Sequence, residues 1–367
     1  MAVESFFSRR TREIEASGIR KIFDLAAHLT EPINFSIGQP HFDVHPEIKQ
    51  EAVTAIEQGF NRYTPSGGIE ELKQKIRSKE PELFENGRNV IITAGVSGGI
   101  MLTFLALIDP GDEVLIPDPG FVSYKHVVRM AGGTPVFFDT YPDFRLYPER
   151  IESCITDRTK LLILNSPSNP TGIVYTDEEI GEAAQLCHDY NIIPVSDEIY
   201  RSFSFDCKAL SILNRIANAV ILRGFSKDYA ITGWRMGYAS APSALINEMT
   251  KLQQFSFVNA PSFAQKACIK ALDIPVTDQI DEYREKRDFV YGELHNTYEM
   301  VKPEGAFYCF PEVPQGTGTE FAEKAIKNNL LLIPGNVFSR QDTHFRISYA
   351  VKQEDLEKGI DILKSLV

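Results

Sequence analysis

Between residue 89 and about residue 225 the sequence alternates short apolar runs with longer stretches whose apolar residues recur every three or four positions. Such alternation is the signature of a parallel sheet wrapped by helices, and it excludes most other architectures. The runs at 90–92, 113–116, 135–138, 161–164, 192–195 and 220–222 read as buried strands. Helices are expected over 97–108, 124–131, 177–188 and 247–255, with Pro110-Gly111 and Gly132-Gly133 as turns. The fold class is therefore α/β, a mainly parallel sheet flanked by helices.

After about Asp273 the pattern changes to a long charged helix at 279–294, followed by strand-like pieces around 306–310 and 344–348. At 367 residues the chain exceeds a comfortable single core. Two lobes are expected: a large domain over 46–273, and a smaller α+β domain made of 1–45, including an N-terminal arm, plus 274–367. Substrate would bind between them.

The formal net charge of -12 offers no basic stripe for phosphates, so no nucleic-acid partner is expected. No membrane partner is expected either: polybasic segments are absent, and the apolar run 100–108 is far too short to span a bilayer. Glu4, Arg9, Arg10, Arg12 and Glu13 interrupt any signal-peptide core, which points to a cytoplasmic chain. The five cysteines are widely spaced and suit buried thiols in a reducing compartment. His41 and His45 have the spacing of a helical metal pair, but Pro40 and Pro46 weaken any helix there, and no metal is expected.

In parallel sheets ligands sit at the carboxyl ends of strands, so polar residues that follow apolar runs carry the chemistry. Ser196-Asp197-Glu-Ile-Tyr200 places an acid and a phenol after one run, and Asn169 follows another in a loop held by Pro167 and Pro170. A third place is Arg223-Gly-Phe-Ser-Lys-Asp-Tyr-Ala-Ile-Thr-Gly-Trp-Arg-Met-Gly237, with Lys227 eight residues before Arg235. Taken singly these are bland: a loop lysine is usually a solvated charge, an acid after a strand a helix cap, and Asn-Pro-Thr-Gly a turn. A lysine delivered by a strand end can also be a covalent amine if its pKa is lowered and a carbonyl partner is supplied, pyridoxal phosphate being the obvious one.

The three elements in this order are far more specific than any one. With Ile37-Gly-Gln-Pro40, Asn61-Arg-Tyr-Thr-Pro-Ser-Gly-Gly68, Ser166-Pro-Ser-Asn-Pro-Thr-Gly172 and Phe345-Arg-Ile-Ser348, they make the chain resemble, nearly end to end, the class I/II aminotransferases of the aspartate aminotransferase type. These are fold-type-I pyridoxal phosphate enzymes with a seven-stranded large-domain sheet. The resemblance implies that Lys227 joins the aldehyde of pyridoxal 5'-phosphate and serves as the catalytic base, that Asp197 pairs with the ring nitrogen, and that Tyr200 and Asn169 reach the ring hydroxyl. A carboxylate at the ring nitrogen keeps it protonated, which the electron sink requires. Arg235 and Ser226 would hold the phosphate, helped by the backbone of the turn Gly95-Val96-Ser97-Gly-Gly99. The hydroxyl that some relatives carry three residues before the lysine is here Gly224.

By the same resemblance Phe121 stacks on the cofactor, and Tyr63 reaches the phosphate of the neighbouring subunit, so a homodimer is implied. Arg346 would grip the substrate α-carboxylate, with Asn169 and the backbone at Gly38 assisting; the motif there reads Gly-Gln-Pro-His-Phe where relatives commonly have Gly-Glu-Pro-Asp-Phe. The implied reaction is ping-pong transfer of the amino group of an L-amino acid, aspartate or aromatic, to a 2-oxo acid such as 2-oxoglutarate. Short-subgroup aspartate aminotransferases carry a distal-carboxylate lysine where this chain has Ser97; Arg20 reads first as a surface helix arginine and second as a replacement for that cation, and positions near Ser97, His41 and the N-terminal arm are expected to choose the side chain. A C-S β-lyase, or a non-catalytic regulatory protein retaining the fold, stays open on the sequence.

Overall fold

The structure is a computed structural model describing residues 2–14, 18 and 29–367. In chain order its strands are β1 (Ile33–Asn34), β2 (Arg88–Ala94), β3 (Glu113–Asp118), β4 (Thr134–Asp139), β5 (Thr159–Asn165), β6 (Ile193–Asp197), β7 (Val220–Gly224), β8 (Met236–Pro242), β9 (Tyr308–Cys309), β10 (Leu330–Leu331), β11 (Ile333–Pro334) and β12 (Phe345–Ser348). β2 to β8 form one seven-stranded sheet in the order β2-β8-β7-β6-β5-β3-β4. Only β8 opposes the others: it pairs antiparallel with both β2 and β7, whereas β3–β4, β3–β5, β5–β6 and β6–β7 are parallel.

The six expected strands are all present, and β8 is the one the apolar pattern misses. Its sequence, Met236-Gly-Tyr-Ala-Ser-Ala-Pro242, has no β-branched residue to announce a strand. The reason is steric: a Cβ on Gly237 would lie 2.6 Å from the Gly95 carbonyl carbon and 2.7 Å from the Val96 nitrogen. Because β8 runs backwards, its first residues stand beside the carboxyl ends of its neighbours, with Ala94 opposite Met236 and Gly224 opposite Gly237. Arg235 thus reaches the same edge as Asp197 and Lys227.

The helix expected from 97 starts earlier, at Gly95–Leu107, so the glycine-rich turn is the first turn of the helix itself. Gly95 has φ +69, and a Cβ there would meet the Arg235 Nη2 at 2.7 Å. Helices Ser123–Ala131, Asp177–Asp189, Ser243–Phe255 and Thr277–Leu294 match expectation to within a few residues. Pro46–Glu57, Glu70–Lys79, Ser262–Ala271, Gly318–Lys327 and Gln353–Ser365 are additional. Pro46, read as a helix breaker, instead opens a helix at its first turn, and the His45 ring accepts from the Glu47 N–H as its cap.

Beyond the large sheet, β11, β12 and β9 form a three-stranded antiparallel sheet, and β10 pairs in parallel with β1. Tyr200, Phe203, Tyr283, Phe307 and Tyr308 build an aromatic cluster between this sheet and β6. Arg223, buried in β7, ties the large sheet together by pairing with Glu198 at 2.8 Å and with Glu80 and Glu82 at 3.2 Å. Among the described residues no helix is long and apolar enough to cross a membrane. Of the five free cysteines Cys187, Cys268 and Cys309 are buried, but Cys207 is exposed, against the expectation of buried thiols.

Candidate active site

A cavity of about 250 Å³ opens at the carboxyl ends of β2, β5, β6 and β7. Lys227, three residues past the end of β7, lines it, and its Nζ donates to the Gly38 carbonyl at 2.6 Å. Removal from water, reinforced by the charges of Arg346 and Arg235 and opposed by Asp197, lowers its pKa to about 8. The amine is therefore neutral in an appreciable fraction near physiological pH, which a solvated lysine is not.

Asp197 ends β6 and is buried. One carboxylate oxygen accepts from the Tyr124 hydroxyl at 2.8 Å and the other from the Ile199 N–H at 3.2 Å. Burial still outweighs these bonds and lifts its pKa to about 6. A cation placed against it would reverse that balance. Asn165, at the end of β5, donates to the Asp197 carbonyl at 3.0 Å and accepts from the Asn169 N–H at 2.9 Å, so the proline-held loop is pinned to β6.

Arg346 is 1% exposed and comes from β12. Its guanidinium lies between the rings of Tyr308 and Phe338, 4.6 and 4.7 Å from their centres. Nη1 donates to the Asn169 side-chain oxygen at 2.9 Å and Nη2 to the Ser36 carbonyl at 2.6 Å, whereas Nε has no partner. Among the described residues no carboxylate pairs with it. A buried cation left this way, with a free donor beside a cavity, is built to receive an anion.

Arg235 makes only long bonds, to the carbonyls of Thr232 at 3.3 Å and Ala94 at 3.5 Å, and lies against Gly95 at the start of the helix Gly95–Leu107. A guanidinium beside the positive end of a helix makes a second anion-binding corner. Val96, Ser97 and Ser226 line the cavity there. Gly224 is glycine for want of room, since a Cβ would stand 2.9 Å from Ile199 and 3.1 Å from Val96.

Gly38, Phe121, Asn169 and Tyr200 also line the cavity, with Phe121 edge-on to Tyr124 at 5.5 Å. Tyr63 does not: it is 86% exposed, in an open depression beside Phe257 and Val258. His41 is not in the wall either, although Ile37 and Gly38 of the same segment are; its Nδ1 meets the Tyr283 hydroxyl at 3.2 Å and its Nε2 meets Glu282 at 2.9 Å. Arg20 lies outside the described residues. Tyr124, Asn165 and Tyr308 line the cavity in addition to the residues expected from the sequence. Tyr124 and Asn165 had a signal, standing three residues after Phe121 and directly after a strand run; Tyr308 had none.

The family model described as aminotransferase class I and II matches residues 30–363. The chain belongs to the class I and II aminotransferases. A probable aspartate aminotransferase of Methanocaldococcus jannaschii is 41% identical over 98% of this chain and 99% of its own length. An aromatic-amino-acid aminotransferase of Thermococcus litoralis is 35% identical over 98% of both chains. Among solved structures, an aspartate aminotransferase of Thermotoga maritima superposes with a TM-score of 0.92 at 31% identity, over 98% of this chain and 99% of that one. This aminotransferase has the fold-type-I architecture of those relatives and catalyses amino-acid transamination, in a family whose members depend on pyridoxal phosphate.

Proposed function

We propose that the cavity holds pyridoxal 5'-phosphate on Lys227 and that the chain transaminates aspartate or an aromatic L-amino acid against a 2-oxo acid, 2-oxoglutarate being the expected acceptor. One observation carries this reading: a single cavity sets a lysine amine of pKa about 8 near a fully buried arginine that has no carboxylate. The donor set fits the cofactor. Arg235 beside a helix start suits a phosphate, with Ser226, Val96 and Ser97 around it, and the buried Asp197 suits a protonated ring nitrogen. Tyr200 and Asn169 offer donors to a ring oxygen, and Phe121 an aromatic face.

When bound, pyridoxal phosphate supplies the electron sink that makes bonds at an amino acid's α-carbon labile. The Arg346 guanidinium grips the α-carboxylate with its uncommitted N–H groups, assisted by Asn169 and the backbone at Gly38, and so fixes which bond at the α-carbon is presented. Lys227 Nζ, which stands at the Gly38 carbonyl, would take the α-proton and hold it on one face of the site. Burial, with Arg346 and Arg235 close by, keeps it neutral often enough to act as that base, against the opposing pull of Asp197.

Tyr63 completes the phosphate site of a partner subunit in a homodimer. Its exposure, with Phe255 at 88% and Phe257 at 41%, supports a role outside its own cavity. Residues 46–273 form the large domain and 1–45 with 274–367 the small one, and the free thiols suit a cytoplasmic enzyme. The names of the relatives favour aspartate and aromatic donors. The test is a half-reaction without acceptor. The loaded protein should release about one equivalent of 2-oxo acid per site from aspartate or phenylalanine and then stop, and Lys227→Ala should slow it by about 10⁴-fold or more. Continuous release of product from the amino acid alone would establish a lyase instead.

A further inference from the structure

Tyr308 touches the site at two points. Its hydroxyl lies 2.7 Å from that of Tyr200, with the two rings edge to face at 5.5 Å. Its face carries the Arg346 guanidinium. The loop at Gly38 closes over the hydroxyl: a Cβ on Gly38 would fall 2.2 Å from the Tyr308 oxygen, and the same Gly38 carbonyl accepts from Lys227. Among the described residues neither phenol has another hydrogen-bond partner.

Each phenol keeps its proton, because burial raises both above the ordinary tyrosine value, and so each has one bond to donate. Between two hydroxyls only one donates. If Tyr200 donated to Tyr308, it would have nothing left to offer an oxygen in the cavity. If Tyr308 donates, the Tyr200 proton is free for the cavity, and a hydroxyl that already accepts one bond is the stronger donor in the next. Arg346 selects the second arrangement. Its guanidinium lies over the face of the Tyr308 ring, 4.6 Å from the centre, and draws electron density from that phenol, which makes the Tyr308 O–H the better donor of the pair.

We infer that Tyr308 is a positioning residue: its hydroxyl donates to Tyr200 and turns the Tyr200 proton toward the cavity, while its ring holds Arg346 in place for the substrate carboxylate. This rests on the reading that the cavity holds pyridoxal phosphate, whose ring oxygen Tyr200 would serve.

The experiment compares wild type, Tyr308→Phe, Tyr200→Phe and the double variant, each loaded with pyridoxal phosphate, by following cofactor absorbance from pH 5 to 10. Losing the Tyr308 donor should raise the midpoint of the absorbance change by about half a pH unit, Tyr200→Phe should raise it further, and the double variant should match Tyr200→Phe. The KM for the amino acid should move less than about twofold in Tyr308→Phe, because the ring still covers Arg346. A ring-fluorinated tyrosine at 308, a stronger donor of the same shape, should move the midpoint the other way. A loaded Tyr308→Phe protein with the wild-type midpoint, or a Tyr308→Phe shift that persists in full in the double variant, overturns this inference alone. A wild-type chain that takes up no pyridoxal phosphate overturns the functional reading and this inference together.

Discussion

Lys227 owes its chemistry to its neighbours more than to its type. Desolvation and two arginines depress it to about 8 in a cavity that also holds Asp197, whose opposing shift to about 6 comes from the same dry surroundings. The sign follows directly. Below pH 8 the amine is mostly protonated and unreactive; above it, mostly neutral and nucleophilic. In the cofactor-free protein, the rate at which Lys227 captures free pyridoxal should rise about tenfold per pH unit up to pH 8 and level off beyond it. A rate still climbing at pH 10, as for an ordinary lysine, would contradict the depressed pKa. Lys227, Asp197 and Asn169 were legible because each follows an apolar strand run, where a parallel sheet presents its side chains to a ligand. Tyr308 was not, because the sequence between 306 and 310 reads only as a strand-like piece, and its partners Tyr200 and Arg346 lie 108 positions before it and far after it.

At the scale of elements, β8 shows where an apolar pattern fails. Its small residues are dictated by the helix start packed over Gly237, and its reversed direction is what brings Arg235 to the edge that holds Lys227. The join between β6, β7 and the segment Pro81–Phe84 depends on Arg223, whose buried guanidinium meets three carboxylates. Glu198, at 3% exposure, would be left buried without its ion-pair partner if Arg223 were replaced. Arg223→Leu is accordingly expected to destabilise the protein by about 3–5 kcal/mol in denaturant unfolding, while Glu198→Gln and Arg223→Leu together should cost less than Arg223→Leu alone. A fully additive pair would show that the ion cluster is not the source of the loss.

For the whole molecule, the exposed aromatic side chains of Tyr63, Phe255 and Phe257 are the surface that the proposed homodimer would cover. A dimer in which Tyr63 serves the partner's site makes a prediction that no monomeric arrangement shares. Tyr63→Ala and Lys227→Ala proteins, each impaired at limiting pyridoxal phosphate, should regain about a quarter of wild-type activity when mixed and allowed to exchange subunits, since half of the dimers are mixed and each of those has one intact site. No recovery after demonstrated exchange would return Tyr63 to its own subunit.

What this sequence determined by itself was the parallel α/β core, the order of its strand-end chemistry and the family resemblance that follows from them. These depend on local apolar periodicity and on residues a strand end must present, and both are written within a few positions of one another. Tertiary structure alone decided the reversed β8, the Tyr124 bond to Asp197, the aromatic sandwich around Arg346 and the contact of His41 with Tyr283. Each of these joins segments tens to hundreds of positions apart, and contacts of that range are chosen by packing and the exclusion of water, which no local pattern encodes.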